Sequence, residues 1–79
     1  MKEIIYMYTS GCLACMMLRP QIEAVQEKMN IVILNGASHR EFAKNYKVES
    51  FPTLLFMEDK KIVNKMVGRK KIEKYLQTI

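Results

Sequence analysis

Apolar positions along this chain follow two rhythms. Glu3 to Thr9 (EIIYMYT) is apolar and rich in β-forming residues, and it reads as a buried strand. Thr9-Ser10-Gly11 breaks that run. From Cys12 the spacing turns helical: Cys15, Leu18, Ile22, Val25 and Met29 share one face, and Arg19, Glu23, Gln26 and Glu27 lie away from it. Pro20 sits inside this helix and removes one backbone hydrogen bond, so a kink is expected about a turn beyond Cys15. Ile31 to Leu34 is a second short strand, closed by Asn35-Gly36. Ser38 and Glu41 have the spacing of a capping box and predict a second helix with Phe42, Ala43 and Tyr46 inward. Phe51-Pro52-Thr53 stops that helix. Thr53 to Met57 is a third strand and Glu58-Asp59-Lys60 a turn. Lys61 to Val67 alternates as a fourth strand, expected to put Ile62, Met66 and Asn64 on one face. After Gly68, the positions Ile72, Tyr75, Leu76 and Ile79 mark a short C-terminal helix.

The predicted order is therefore βαβαββα. Strand–helix–strand units imply parallel pairing with a right-handed crossover. The connection between the last two strands is too short for a crossover, so those strands pair antiparallel. The expectation is an α/β fold with a four-stranded mixed sheet and helices on both faces. At 79 residues, one domain spanning 1–79 is expected, with no room for a second core.

Composition agrees with a folded domain: 49% of residues are hydrophobic, and there are only 3 Gly and 2 Pro. No run approaches the ~20 apolar residues needed to span a bilayer. The opening MKEIIYMYTSGC has too short an apolar stretch for a secretory signal, so a cytoplasmic location with no membrane partner is expected. The net charge is +5, carried largely by Lys60, Lys61, Lys65, Arg69, Lys70, Lys71 and Lys74. A basic stripe can bind nucleic acid. No aromatic interleaving accompanies this one, so it reads as a solvated face with some preference for acidic partners, and no nucleic-acid partner is expected.

The chemistry lies in Cys12-Leu13-Ala14-Cys15. Cytosolic thiols are held reduced, so a disulfide there is transient and chemical rather than a staple. Exchange needs one thiolate that attacks and a second thiol that resolves the mixed disulfide. Cys12 follows a strand and opens a helix, where unpaired N–H groups and the helix dipole stabilise a thiolate. Cys12 is thus the expected nucleophile. Cys15, one turn in on the apolar face, is the resolving thiol. A C-x-x-C pair also begins many zinc sites, but these need four ligands, and the one other His or Cys is His39, expected to be exposed and without catalytic role. Zinc or an iron–sulfur cluster shared between two chains is the surviving metal reading. No cofactor is expected beyond the Cys12–Cys15 disulfide.

Pro20 five residues past Cys15, Phe51-Pro52-Thr53 and Met66-Val67-Gly68 stand in an order that, with C-L-A-C after a strand, resembles the thioredoxin-fold family over nearly the whole chain. The resemblance implies a minimal thioredoxin or glutaredoxin-like redoxin. It implies that Pro52 is cis and packs beside the two sulfurs, and that Phe51 offers its backbone to an extended substrate segment. It also places Gly11, Thr53 and Gly68 in the substrate-binding surface around Cys12. The chain departs from thioredoxins where Gly11 replaces a Trp, Leu13-Ala14 replaces Gly-Pro, and Tyr6 replaces a buried acid. The opening Y-T-S-G-C resembles glutaredoxins, but their C-P-Y-C and downstream Gly-Gly are missing.

The function expected is reduction of disulfides in protein substrates by a monomer recycled through a thioredoxin-reductase-type donor. The alternatives are a glutathione-dependent reductase, the shared metal module, and a basic nucleic-acid-binding domain on the same fold.

Overall fold

A computed structural model describes residues 2–79, and its elements alternate as the apolar rhythms require. They are β1 (Lys2–Tyr8), α1 (Leu13–Gln26), β2 (Ile31–Asn35), α2 (Arg40–Asn45), β3 (Thr53–Glu58), β4 (Lys61–Val67) and α3 (Arg69–Leu76). The sheet order is β2-β1-β3-β4, with β1 and β2 parallel and the other neighbours antiparallel. Central β1 carries the apolar run Ile5-Tyr6-Met7, buried throughout because helices cover both faces.

The alternation along β1 divides the core in two. Tyr6 joins Leu18 and Ile22 of α1, Ile31, Leu54, and Ile72 and Leu76 of α3. Ile5 and Met7 face the other way, with Ala43 of α2, Val48, Leu55 and Met57. Phe42 and Tyr46 pack against this second cluster, as the helical spacing of α2 predicts. Met7 and Met57 are buried, while Met29 and Met66 pack at the edge of the first cluster. Pro20 lies inside α1, and its missing N–H leaves the Met16 carbonyl without the usual donor.

Two local expectations are corrected. Ser38 does not cap α2: His39 is the N-cap residue and no side chain bonds the helix start. Asn35 organises the turn instead, its Oδ1 accepting from the Ala37 N–H at 2.9 Å and its carbonyl from the Ser38 N–H at 3.1 Å. Ile62 and Met66 do not share a face. Between Phe56 and Met57 the β3–β4 register shifts, so that Asn64 pairs with Phe56 and Ile62 with Met57, leaving Val63 as the extra residue. That bulge sends Ile62 to the Leu55 and Met57 side, while Met66 packs on the Tyr6 side. The last residue, Ile79, lies beyond α3 and is exposed.

One end of the sheet gathers the elements that matter for chemistry. The ends of β1, β2 and β4, the start of β3 and the starts of α1 and α3 all meet there.

Candidate active site

Cys12 and Cys15 are joined as a disulfide across Cα atoms 5.2 Å apart. The pair forms because the chain leaves β1 through Thr9-Ser10-Gly11 and turns at once into α1. Cys12 is the N-cap of that helix, with extended backbone, and its sulfur accepts the Cys15 N–H at 3.2 Å. A sulfur so placed faces the unpaired N–H groups of the first turn, the arrangement that stabilises a thiolate. No acidic residue stands in that turn to oppose it. Cys15 is buried on the apolar side of α1 and Cys12 only partly so.

The segment that precedes β3 supplies the opposite wall. The Phe51–Pro52 peptide is cis, and the Phe51 carbonyl oxygen lies 4.0 Å from the Cys12 sulfur. Pro52 is buried, and its carbonyl accepts the Gly68 N–H at 3.0 Å, tying the end of β4 to this wall. Thr53 is also fully buried, its hydroxyl donating to the Ser50 carbonyl at 2.6 Å, so its side chain shapes the turn and faces no open surface. Gly68 and Gly11 adopt φ of 100° and 77°, left-handed backbone in which a side chain is strained, and both border open space.

Gly36, by sequence only a strand breaker, lies against Phe51 of this wall. A Cβ there would overlap the edge of the Phe51 ring. The ring is seated on the bare Gly36 backbone, whose N–H donates to the Tyr8 carbonyl at 2.7 Å. The same residue, Phe51, supplies the carbonyl beside Cys12. The only signal in the sequence was a Gly and a Phe far apart in the chain.

Beneath the pair, Tyr6 donates its hydroxyl to the Cys15 carbonyl at 3.1 Å. Burial pushes its pKa from 10.0 up to about 12, with the Arg19 charge opposing. The phenol is therefore protonated at neutral pH and is not a base. Tyr8 stacks on Tyr6 with ring centroids 6.3 Å apart, and the Arg19 guanidinium lies 5.2 Å above the Tyr8 ring. Arg19 also pairs with Glu23 at 2.9 Å. A cavity of about 480 Å³ opens beside Cys15 among Tyr8, Thr9, Gly11, Met16 and Arg19.

Among the described residues no three His, Cys, Asp or Glu side chains group closely enough to hold a metal ion. His39 is exposed and bonds the Asn35 carbonyl through Nδ1 at 3.0 Å, away from the sulfurs. Among the same residues no helix is long and apolar enough to cross a membrane.

The family model described as Thioredoxin matches residues 2–79. The thioredoxin of Chlamydia caviae is 30% identical over 79 residues, covering 96% of this chain and 78% of that protein. That of Chlorobaculum thiosulfatiphilum is 37% identical over 65 residues, covering 77% of this chain and 60% of that one. Among solved structures, Fasciola hepatica thioredoxin superposes with a TM-score of 0.81 at 20% identity, covering 98% of this chain and 79% of that one. A complex of ferredoxin:thioredoxin reductase with thioredoxin f2 gives 0.81 at 20% identity, covering 98% and 76%. At these identities the structural likenesses carry the fold, and the curated relatives carry the family.

Proposed function

Because the chain belongs to the thioredoxin family and is a thiol–disulfide oxidoreductase, we propose that Cys12 attacks a disulfide in a protein substrate and Cys15 resolves the intermediate. The observation that carries this reading is the asymmetry of the pair: Cys12 caps a helix at the surface and Cys15 is buried one turn below. In the reduced protein the Cys12 thiolate attacks one sulfur of the target disulfide. A mixed disulfide forms and one target thiolate leaves. Cys15 loses its proton and attacks the Cys12 sulfur. The Cys12–Cys15 disulfide forms and the second target thiolate leaves. Two electrons have passed to the target, whose two thiolates take up protons.

In this reading Phe51 lends its backbone to an extended substrate segment, and Gly11 and Gly68 leave the surface around Cys12 flat. Pro52 packs beside the sulfurs, and Thr53 fixes the turn that presents Phe51. Tyr6 stays protonated, so it does not take the Cys15 proton, which passes to solvent.

A dithiol reductase of the thioredoxin-reductase type is the donor we favour; a structurally similar protein, thioredoxin f2, is solved in complex with ferredoxin:thioredoxin reductase. The protein acts as a cytoplasmic monomer in this account. The test feeds the oxidised protein with NADPH and either thioredoxin reductase or glutathione and its reductase. Reduction by the first alone is expected. Reduction by glutathione alone assigns the donor to the glutathione pathway.

A further inference from the structure

The redox end of the molecule has an uneven rim. Leu13, Met16 and Met17 on α1 are 70%, 65% and 51% exposed, and Val67 at the end of β4 is 41% exposed. Apolar side chains of this size beside a reactive sulfur form a surface that contact with a partner would dry. Methionine adapts its shape to different partners, so two of the four suit a surface that meets several.

The charge beside this patch is the informative part. Gln21 on α1 donates to Glu73 on α3 at 3.0 Å, and Arg69 pairs with the other oxygen of Glu73 at 3.0 Å. Both helices start from the redox end, and Arg69 is the first residue of α3 there. Lys70 and Lys71 follow directly, both exposed, and neither forms a salt bridge among the described residues. The first turns of α1 and α3 contain no acidic residue. Glu73 is already shared between Arg69 and Gln21. On the far flank of Pro52, exposed Glu49 precedes Ser50 and Phe51. The rim is therefore apolar at the start of α1 and cationic at the start of α3, and exposed Glu49 stands three residues before Pro52.

Resting on the reading of Cys12 as the attacking thiol, we propose that this rim selects protein disulfides with an apolar residue next to the attacked cysteine and acidic residues on the flank that meets Lys70 and Lys71. The partner's carboxylates answer two cations that the fold leaves unpaired, and Glu49 disfavours the reversed orientation. Exposed charges of this kind act mainly on encounter and orientation, and salt screens them.

The test uses the reduced full chain in single turnovers, so no donor is needed. Three peptides each carry one disulfide and a leucine, with acidic, neutral or basic residues on the flank. At low ionic strength the acidic peptide is expected to be reduced about threefold to tenfold faster than the basic one, with the neutral peptide between. The spread shrinks at high salt. The doubly substituted Lys70→Glu, Lys71→Glu protein reverses the order and leaves the neutral rate within about twofold. Equal rates for the three peptides, or a spread that the double substitution does not move, overturn the proposal.

Failure of the dithiol reading shows differently, as no reduction of even the neutral peptide. In that event the rim is decided by binding. Thiol-free versions of the peptides are titrated into the isotope-labelled protein. Shifts at the Lys70 and Lys71 amides with the acidic peptide alone support the surface. Shifts with none of the peptides, or with a single-stranded oligonucleotide in place of them, overturn it.

Discussion

Tyr6 occupies the centre of the sheet, paired with Ile33 on one side and Leu54 on the other, and its hydroxyl reaches the Cys15 carbonyl. Tyr6→Phe keeps the ring and removes that bond, so a loss of about 1 kcal/mol in denaturant unfolding at pH 7 is expected. The folded chain holds the phenol neutral, up to about pH 12 against the ordinary 10.0. Stability from this group is thus whole below pH 10 and falls as pH rises from there toward 12, because the unfolded chain ionises first. Parallel unfolding series at pH 8 and 11 should show a smaller alkaline loss for Tyr6→Phe than for the parent. Gly36 has a sharper test. Gly36→Ala pushes a methyl into the Phe51 ring, and a drop of about tenfold or more in the rate of disulfide reduction is expected. Combining it with Phe51→Ala removes the ring that is struck, so the double variant should be no slower than Phe51→Ala alone. If Gly36→Ala matches the parent rate, the seat for Phe51 is not what fixes the wall beside Cys12.

At the scale of elements, α2 shows how a short helix is held. It ends in a Schellman motif: the Val48 N–H bonds the Ala43 carbonyl at 2.8 Å and the Lys47 N–H the Lys44 carbonyl at 3.2 Å. Lys47 takes φ 54° there, a conformation that costs a residue with a Cβ. Lys65 reaches across from β4, its Nζ donating to the Tyr46 and Lys47 carbonyls at 3.0 and 2.8 Å. Lys47→Gly relieves the strain and leaves both carbonyls in place, so thermal unfolding should show a gain of about 0.5–1 kcal/mol. A loss of stability would mean that the Lys47 side chain contributes more than its backbone costs. These same elements show why some of the fold was legible in sequence and some was not. The bounds of β4, and the burial of Cys15, Leu18 and Ile22 on α1, follow from periodicity, which is a local property. The bulge at Val63 is set by pairing with β3, and one extra residue reverses every expectation of face before it. Ser38 carries a valid local motif, but the turn that Asn35 holds across Ala37 and Ser38 leaves the helix start to His39. The seat of Phe51 on Gly36 is a contact between distant parts of the chain, invisible to any window of sequence.

For the whole molecule, the topology does the assembling. Placing β1 between β2 and β3 brings the helix start with Cys12, the Phe51–Pro52 wall and the Gly68 N–H to one end of the sheet. Three segments distant in sequence thereby surround one disulfide, and that convergence separates a redox site from a chance C-x-x-C. The direct measurement of the account is trapping. Cys15→Ser and Cys12→Ser proteins are each mixed with a disulfide-bonded protein such as insulin, and the products are read by intact mass. A covalent adduct through Cys12 is expected in the Cys15→Ser protein and none in the Cys12→Ser protein. An adduct of equal yield through Cys15 in the Cys12→Ser protein would contradict it.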